Sequence, residues 1–138
     1  MWAYALKGID MLEINMTGKA SVIVDEANTA ATVGSGSLRV FATPSLAALI
    51  EKAACNCLLG HLEEGTTSVG TVLDIKHMAA TPVGMKAEAI VTLVEIDGRR
   101  LVFDIIVNDE KDRISEGVHE RFIVNSEKFM SKVESKLG

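Results

Sequence analysis

Residues 43–60 read TPSLAALIEKAACNCLLG, and this stretch decides the fold because it is the most helix-like segment of the chain. Thr43 is placed to cap a helix through its hydroxyl, Pro44 suits the first helical position, and Gly60 provides a stop. Nearly every side of this helix is apolar, which predicts burial on several faces. Glu51 is an exception on the flank of the apolar face, where a carboxylate is costly unless it has a partner.

The whole chain has the composition of one ordinary globular domain. It contains 138 residues, 48% of them apolar and 24% charged, with only 2 prolines, so we interpret residues 1–138 as a single domain that begins with a candidate irregular extension at residues 1–12. The net charge of -5 argues against bulk binding to nucleic acid or to anionic membranes. No apolar run approaches the ~20 residues of a membrane span, and the beginning of the chain lacks the features of a secretory signal. A cytoplasmic location is therefore the default expectation.

Alternating apolar and polar residues predict five strands. One strand precedes the helix, at residues 14–25, and a Gly/Ser-rich loop follows it at residues 34–37. Four strands follow the helix, at residues 68–78, 85–96, 101–108 and 114–124, and Ser126 is placed to cap a short closing helix. Strands joined mostly by short turns form an antiparallel meander. We therefore predict an α+β fold in which a curved antiparallel sheet wraps the long helix, the hotdog arrangement; a plain α+β roll is the generic alternative.

Three polar side chains are candidates for a hydrolytic site. His77 shares a strand face with apolar residues and is expected to point towards the helix, where a histidine is more often a core residue than a catalyst. Glu51 favours a catalytic role for His77, because an inward carboxylate can orient the ring of His77 and raise its basicity. The histidine would be the base or the orienting group, Glu51 the base or the nucleophile, and Thr43 a hydrogen-bond donor or the nucleophile. Taken alone, Thr43 is a plain helix cap. Gly70, on the same strand as His77, marks a point where a ligand can approach the backbone.

The other polar candidates have weaker support. His61 lies in a polar connection and is expected in solvent, and His119 is expected at the surface or at an interface. Arg121 is interpreted either as a group that meets a ligand or as one half of an ion pair with its neighbour Glu120.

Neither a metal nor a nucleotide is predicted from local motifs. Cys55 and Cys57 point about 200° apart on a helix, so they suit neither a disulfide nor a shared metal and are interpreted as buried small side chains. The remaining Cys, His and Asp residues show no metal-ligand spacing, and no phosphate-binding or nucleophile-elbow motif occurs in the sequence. We therefore expect no metal and no cofactor.

Several short stretches occur together at characteristic spacings. They are VFAT at residues 40–43, SVGT at 68–71, AATP at 79–82, EIDGRRL at 95–101 and GVHER at 117–121. With these stretches, the chain from about residue 40 onwards resembles the fluoroacetyl-CoA thioesterase family of hotdog-fold acyl-CoA thioesterases. The resemblance implies a homodimer with active sites at the subunit interface, and hydrolysis of acyl-CoA to a free acid and CoA without a metal or cofactor.

The resemblance also assigns roles to individual residues. It implies that Thr43, Glu51 and His77 are catalytic, that Gly70 lies close to the thioester carbonyl, and that Arg121 lies near the acyl pocket. It leaves open whether Thr43 or Glu51 is the nucleophile.

One segment departs from the family pattern. The fluoroacetyl-specific enzyme carries bulky aromatic residues before its catalytic threonine, as a lid over the acyl group, whereas residues 34–37 here read GSGS. We therefore expect hydrolysis of a short or medium acyl-CoA without fluoroacetyl specificity. The alternative is a non-catalytic protein that binds acyl-CoA or another small ligand in the same cleft. A hotdog hydratase acting on enoyl-CoA is a third interpretation, but the Asp/His motif usual in those enzymes does not occur in this sequence.

Overall fold

The structure is a computed structural model that describes residues 12–138. Its five strands form one antiparallel sheet, in the spatial order β1-β3-β4-β5-β2: β1 (Thr17–Ile23), β2 (Thr66–His77), β3 (Lys86–Asp97), β4 (Arg100–Asn108) and β5 (Arg113–Asn125). The helices are α1 (Ala30–Val33), α2 (Thr43–Leu58) and α3 (Ser126–Glu134). None of the described helices is both long and apolar enough to cross a membrane. The predicted extension at residues 1–12 lies outside the described residues except for Leu12, which is fully buried.

Helix α2 packs across one face of the sheet. Its buried side chains recur with helical spacing: Leu46, Leu49, Ile50, Ala53, Ala54, Cys57 and Leu58. They form one hydrophobic cluster with alternate residues of β3 and β4, among them Val91, Leu93, Leu101 and Phe103. The prediction of burial on several faces is wrong for this chain, because the sheet covers one side of the helix and leaves Ala48 and Cys55 exposed.

Strand β1 approaches α2 through a glycine. A Cβ atom at Gly18 would overlap the backbone oxygen of Ala53 and would lie 2.6 Å from the Cβ of Cys57. Only glycine permits so close a contact between the strand and the helix backbone. This contact fixes one end of the sheet against the helix.

The ends of α2 differ in detail from their sequence signals. Ala42 is the N-cap residue, so Thr43 already belongs to the helix and its side chain makes no capping hydrogen bond. Pro44 therefore occupies the second helical position, where its missing N–H also needs no partner within the helix. The helix ends at Leu58, and Gly60 follows with a φ of +81°, a turn that glycine adopts without strain. The hydroxyl of Thr43 is consequently free for another partner.

One further local prediction needs correction, and two short elements are additional to those predicted. Between β1 and the Gly/Ser-rich loop, the chain forms a 3-10 turn at Glu26–Asn28 and the short helix α1. At the closing helix, Asn125 rather than Ser126 is the cap, because its Oδ1 accepts a hydrogen bond from the backbone N–H of Lys128 at 2.9 Å. An asparagine is as good a cap as a serine, and the sequence offers both side by side.

The meander is confirmed for β3, β4 and β5, which are sequential neighbours, but not for β2. Strand β2 pairs with β5 and forms an edge of the sheet, so the connection at residues 78–85 crosses between strands that are not paired. The short connection after β2 does not form a hairpin, because the pairing partner of β2 is β5 rather than the next strand, β3. As a result, the outer edge of β2 has no partner strand among the described residues.

Strand β2 contains a bulge next to Gly70. Gly70 lies opposite Arg121 and Val72 lies opposite Glu120, so Thr71 is an extra residue in β2. The bulge changes which residues face the helix. After it, Leu73, Ile75 and His77 face inwards. Before it, Gly70 takes the inward position.

Candidate functional site

The hydroxyl of Thr43 forms a hydrogen bond with the ring of His77. The Oγ1 and Nδ1 atoms lie 2.8 Å apart, which joins the first residue of α2 to the last residue of β2. The prediction that His77 points towards the helix is therefore confirmed. Thr43 is placed where its hydroxyl meets an imidazole because it does not cap its own helix.

The surroundings of His77 favour its neutral form. Burial lowers the pKa of His77, and the nearby backbone of Ala79 opposes this shift without cancelling it. A neutral ring can accept the hydroxyl proton of Thr43 at Nδ1. The Nε2 atom of His77 is buried and has no hydrogen-bond partner among the described residues.

A small cavity adjoins this pair. It measures about 280 Å³, and both Thr43 and His77 line it. The rest of its wall consists of small or apolar residues: Ala30, Ser35, Val40, Phe41, Met78, Ala79 and Ala80. Such a wall suits a short hydrocarbon chain beside a reactive hydroxyl.

Glu51 belongs to a second group of polar residues around Gly70. The Oε2 atom of Glu51 lies 3.6 Å from Nη1 of Arg121, and a Cβ atom at Gly70 would lie 2.5 Å from the same Oε2. The Glu51 side chain is 46% exposed, whereas that of Arg121 is 7% exposed. The carboxylate therefore has a buried cationic partner but remains open to a ligand. The interpretation of Arg121 as a partner of Glu120 is wrong, since Glu120 pairs with Arg100 at 2.9 Å.

Arg121 is held by three hydrogen bonds besides its contact with Glu51. Its Nε donates to Oγ of Ser68 at 2.8 Å, and its Nη2 donates to the backbone oxygen of Ser68 at 3.1 Å. Its Nη1 lies 3.1 Å from Nε2 of His119. The guanidinium is therefore fixed against β2, beside the Glu51 carboxylate, rather than free to follow a ligand.

His119 is the residue that the sequence interpretation misplaced. It is 1% exposed, although a surface or interface position was expected. Strand β5 carries apolar residues on both faces, and Phe122 on the face opposite His119 is 40% exposed, so alternation alone does not show which face of β5 is buried. The useful signal was the spacing of two residues between His119 and Arg121, which places them on the same face.

The two groups are separate within one chain. No hydrogen bond or ion pair among the described residues joins Glu51 to His77 or to Thr43. Eight residues of α2 separate Thr43 from Glu51, which corresponds to about 12 Å along the helix axis. Each group therefore contains part of the predicted catalytic and substrate-binding residues. Thr43 and His77 form one group, and Glu51, Gly70 and Arg121 form the other.

The cysteines and the remaining histidine lie outside both groups. Cys57 is buried, and burial raises the pKa of its thiol to about 11, so it is not a thiolate at neutral pH. Cys55 is exposed rather than buried as predicted. His61 is half-buried, contrary to the expectation of a solvated side chain. Within residues 12–138, no group of three His, Cys, Asp or Glu side chains is arranged to hold a metal ion.

Comparisons with known proteins agree with the family resemblance. The family model for the fluoroacetyl-CoA-specific thioesterase matches residues 24–127. The fluoroacetyl-CoA thioesterase of Streptantibioticus cattleyicolor is 38% identical over 97 residues, which cover 70% of this chain and 70% of that protein. A solved structure of the fluoroacetyl-CoA thioesterase FlK superposes with a TM-score of 0.86 at 30% identity, covering 92% of this chain and 98% of that chain. Variants of FlK have been solved with acetyl-CoA and with fluoroacetate and CoA.

A more distant structure supports the fold alone. A hot-dog-like protein from Thermanaerovibrio acidaminovorans superposes with a TM-score of 0.84 at 20% identity, covering 92% of this chain and 94% of that chain. The predicted α+β hotdog fold is therefore confirmed.

Proposed function

This chain belongs to the fluoroacetyl-CoA-specific thioesterase family, and from this premise we propose that it hydrolyses a short or medium acyl-CoA to the free acid and CoA. The observation that carries the proposal is the 2.8 Å contact between Oγ1 of Thr43 and Nδ1 of His77, beside a cavity of about 280 Å³. Hydrolysis of this kind needs neither a metal nor a redox cofactor, since the side chains supply the base and the nucleophile.

The proposed site supports two routes of attack. In the first, Nδ1 of His77 takes the hydroxyl proton of Thr43, the threonine oxygen adds to the thioester carbonyl, and the CoA thiolate leaves and is protonated. Water then cleaves the acyl-threonine ester and restores the hydroxyl. In the second, the Glu51 carboxylate either attacks the carbonyl, displacing the CoA thiolate to form a mixed anhydride that water then hydrolyses, or takes a proton from a water molecule that itself attacks the carbonyl and displaces the thiolate. Thr43 donates a hydrogen bond in both cases. Both routes release one acid and one thiol for each water consumed.

Gly70 is the proposed point of contact with the thioester carbonyl. A cavity of about 220 Å³ lies beside it, lined by Glu51, Gly70, Thr71, Val72, Leu73 and His119. The lack of a side chain at Gly70 leaves its backbone open on the side where the Glu51 carboxylate lies. Backbone N–H groups in such positions stabilise the charge that develops on a carbonyl oxygen during acyl transfer. Arg121 supports the site by holding the carboxylate of Glu51.

We further propose that the enzyme is a homodimer with its active sites at the interface. Strand β2 is an edge of the sheet and carries Gly70 in its first half and His77 at its end. If two β2 strands pair antiparallel about a two-fold axis that lies between Gly70 and His77, the Gly70 region of one chain lies beside the His77 end of the other. Each site would then combine Thr43 and His77 of one protomer with Glu51 of its partner. This arrangement joins the two groups that one chain keeps apart.

The acyl group is proposed to be short or medium in length and not restricted to fluoroacetyl. Residues 34–37 carry no large side chain, and Leu38, next to them, is 67% exposed. An acyl-CoA substrate agrees with the ligands of the solved FlK variants, which are acetyl-CoA in one structure and fluoroacetate with CoA in another. We place the enzyme in the cytoplasm and expect neither nucleic acid nor a membrane as its partner.

A thiol-release assay on purified protein tests the proposal. The panel includes acetyl-, fluoroacetyl-, propionyl-, butyryl- and hexanoyl-CoA, with wild type, Glu51→Gln and His77→Ala. Glu64→Gln is a matched control, because Glu64 lies in the exposed connection after α2 and contributes to neither group. We expect turnover by wild type and the control and a loss of about 10²-fold or more in the other two variants. Acyl-CoA binding without turnover in wild type would instead indicate a non-catalytic binding protein.

A further inference from the structure

Both ring nitrogens of His119 have partners that fix where its proton lies. Nδ1 is 2.7 Å from the backbone oxygen of Val72, and this oxygen can only accept a hydrogen bond. Nε2 is 3.1 Å from Nη1 of Arg121, and a guanidinium can only donate. Nδ1 must therefore carry the proton and Nε2 must be the acceptor. His119 is a neutral imidazole with a single tautomer.

The two partners of His119 bear directly on the proposed reacting groups. Thr71, the extra residue of the bulge in β2, follows Gly70 directly, and Val72 is the next residue. Arg121 is the partner of the Glu51 carboxylate. The ring itself lies close to Gly70, since a Cβ atom there would be 3.3 Å from Cε1 of His119. One side chain thus connects the bulge, Arg121 and the space beside Gly70.

The surroundings of the His119 ring favour its neutral form. Phe103 of β4 stacks on His119, with ring centroids 6.1 Å apart and an interplanar angle of 28°. Burial lowers the pKa of His119 and the charge of Arg121 lowers it further, whereas the hydrogen bond to the backbone of Val72 and the Glu51 carboxylate oppose the shift without cancelling it. A proton at Nε2 would replace an acceptor with a donor facing a guanidinium. Protonation of His119 therefore breaks its contact with Arg121.

We propose that His119 is a positioning residue of the thioesterase site, holding the bulge at Thr71 through Nδ1 and the guanidinium of Arg121 through Nε2. Through the bulge it sets the direction of the Gly70 backbone, and through Arg121 it sets the place of the Glu51 carboxylate. This role rests on the proposed function, because it concerns groups assigned to acyl-CoA hydrolysis. The tautomer and the charge of the His119 ring do not depend on catalytic activity, so they can be measured separately.

The first test measures the tautomer in wild-type protein. Histidine labelled with ¹⁵N distinguishes protonated from unprotonated ring nitrogens by NMR, and His61→Gln and His77→Gln assign the three ring spectra. We expect His119 to carry its proton on Nδ1 at neutral pH and to take up a second proton only below the ordinary histidine pKa. A proton on Nε2, or a titration like that of a solvent-exposed imidazole, would overturn the proposal.

The second test separates the two contacts with isosteric variants. In His119→Asn the amide replaces Nδ1 and keeps a donor for Val72, whereas in His119→Gln the amide reaches the position of Nε2 and keeps an acceptor for Arg121. Each variant is measured alone and together with Arg121→Lys, and His61→Asn and His61→Gln are the matched controls. We expect kcat to fall in both His119 variants, by up to roughly 10²-fold, and to be unchanged in the controls.

The double variants decide whether His119 acts through Arg121. The loss caused by His119→Asn should largely disappear in the Arg121→Lys background, while the loss caused by His119→Gln should persist. A general loss of folding would give no such difference between the two cycles. Full activity of both single variants would contradict the proposal. The same degree of additivity in the two double-mutant cycles, one with His119→Asn and one with His119→Gln, would contradict it as well. If wild type hydrolyses no acyl-CoA, the proposed function fails, and the NMR result decides whether His119 holds Arg121 and the bulge.

Discussion

Oγ1 of Thr43 lies 2.8 Å from Nδ1 of His77, at a position where a threonine near a helix start would more often cap its own helix. Ala42 occupies the cap position instead and contributes no side-chain hydrogen bond. A side-chain cap stabilises a helix by about 1 kcal/mol, so the start of α2 lacks a stabilising contact that its sequence could have supplied. Local rules of stability are most often broken at functional sites, and the contact with His77 is consistent with such a site.

Removing the hydroxyl of Thr43 should therefore reduce activity without reducing stability. Thr43→Val keeps the shape of the side chain and cannot donate a proton to His77. We expect kcat to fall by about 10²- to 10⁴-fold with little change in KM or in melting temperature, because the hydroxyl makes no capping bond. Thr43→Ser, which keeps a hydroxyl, should retain far more activity. Wild-type turnover by Thr43→Val in a steady-state thiol-release assay would remove Thr43 from the site.

The lowered pKa of His77 predicts the acid limb of the pH profile. The ring must be neutral to accept a proton from Thr43, and burial keeps its pKa below the ordinary value of about 6.5. The acid limb of kcat/KM should therefore have its midpoint below pH 6.5. A limb centred at or above 6.5 would contradict this assignment. Since the pKa of His119 is also lowered, repeating the profile with His119→Gln separates the two rings.

The lowered pKa of His77 also makes the free energy of unfolding depend on pH. In the unfolded chain His77 takes up a proton near pH 6.5, whereas in the folded chain it does so only at lower pH. Between those two values the unfolded state binds more protons, so the free energy of unfolding decreases as the pH falls through this window. Circular dichroism at each pH is therefore the control that separates loss of the active base from loss of the fold.

The sequence was sufficient to predict the five strands, α2 and α3, but it was insufficient to predict which strands pair. The helix could be predicted because Pro44 and Gly60 mark its ends, and β3 to β5 because tight turns join strands of clear alternation. The position of β2 beside β5 depends on packing between residues far apart in sequence. The bulge at Thr71 then changes the phase of the alternation, which pattern reading cannot anticipate.

The site was predictable to the extent that its residues break local patterns. Glu51 on a mostly apolar helix and His77 on an apolar strand face were visible as exceptions. The burial of His119 and Arg121 was not visible, because polar residues that satisfy one another on a buried face resemble the solvent face of a strand. Their role depends on four hydrogen bonds that only the folded sheet brings together: three to Ser68 and Val72 of β2, and one between the two side chains.

A side chain at Gly70 should displace the Glu51 carboxylate. The Cβ atom of Gly70→Ala would lie 2.5 Å from Oε2 of Glu51, and this carboxylate is the mobile end of a half-exposed side chain. We expect a loss of about 10²-fold in kcat, because a displaced catalytic group loses its alignment, with little change in melting temperature. In a Glu51→Gln background the same substitution should have a much smaller effect. Equal losses in both backgrounds would show that Gly70 acts independently of Glu51.

The open segment before Thr43 predicts weak discrimination between acetyl-CoA and fluoroacetyl-CoA. Residues 34–37 supply no aromatic lid, and the cavity beside His77 is lined mainly by small and apolar residues. The two values of kcat/KM should lie within about tenfold of each other, because a pocket separates substrates that differ by one small group only weakly. Ser35→Phe, which narrows the cavity, should reduce turnover of butyryl-CoA more than that of acetyl-CoA. A strong preference for fluoroacetyl-CoA would require another source of specificity.

The division of the site between two groups predicts complementation between inactive chains. In a heterodimer of His77→Ala and Glu51→Gln chains, isolated through two different tags, one site would combine the intact Glu51 of the first chain with the intact Thr43 and His77 of the second. The other site would carry both substitutions. We expect about half of the wild-type activity per dimer, since one of two symmetric sites is intact. Both parent homodimers should be inactive.

A heterodimer of wild type with the double variant His77→Ala, Glu51→Gln is the reciprocal control. If each site draws on both chains, every site in this heterodimer carries one substitution, and activity should be lost. If instead each chain supplies all three groups to its own site, this control keeps one intact site while the first heterodimer is inactive. The two heterodimers contain the same substitutions in the same number, so stability and assembly affect them similarly. Only the distribution of Glu51 and His77 between the chains differs, and the activities therefore report whether β2 pairing brings the two groups together.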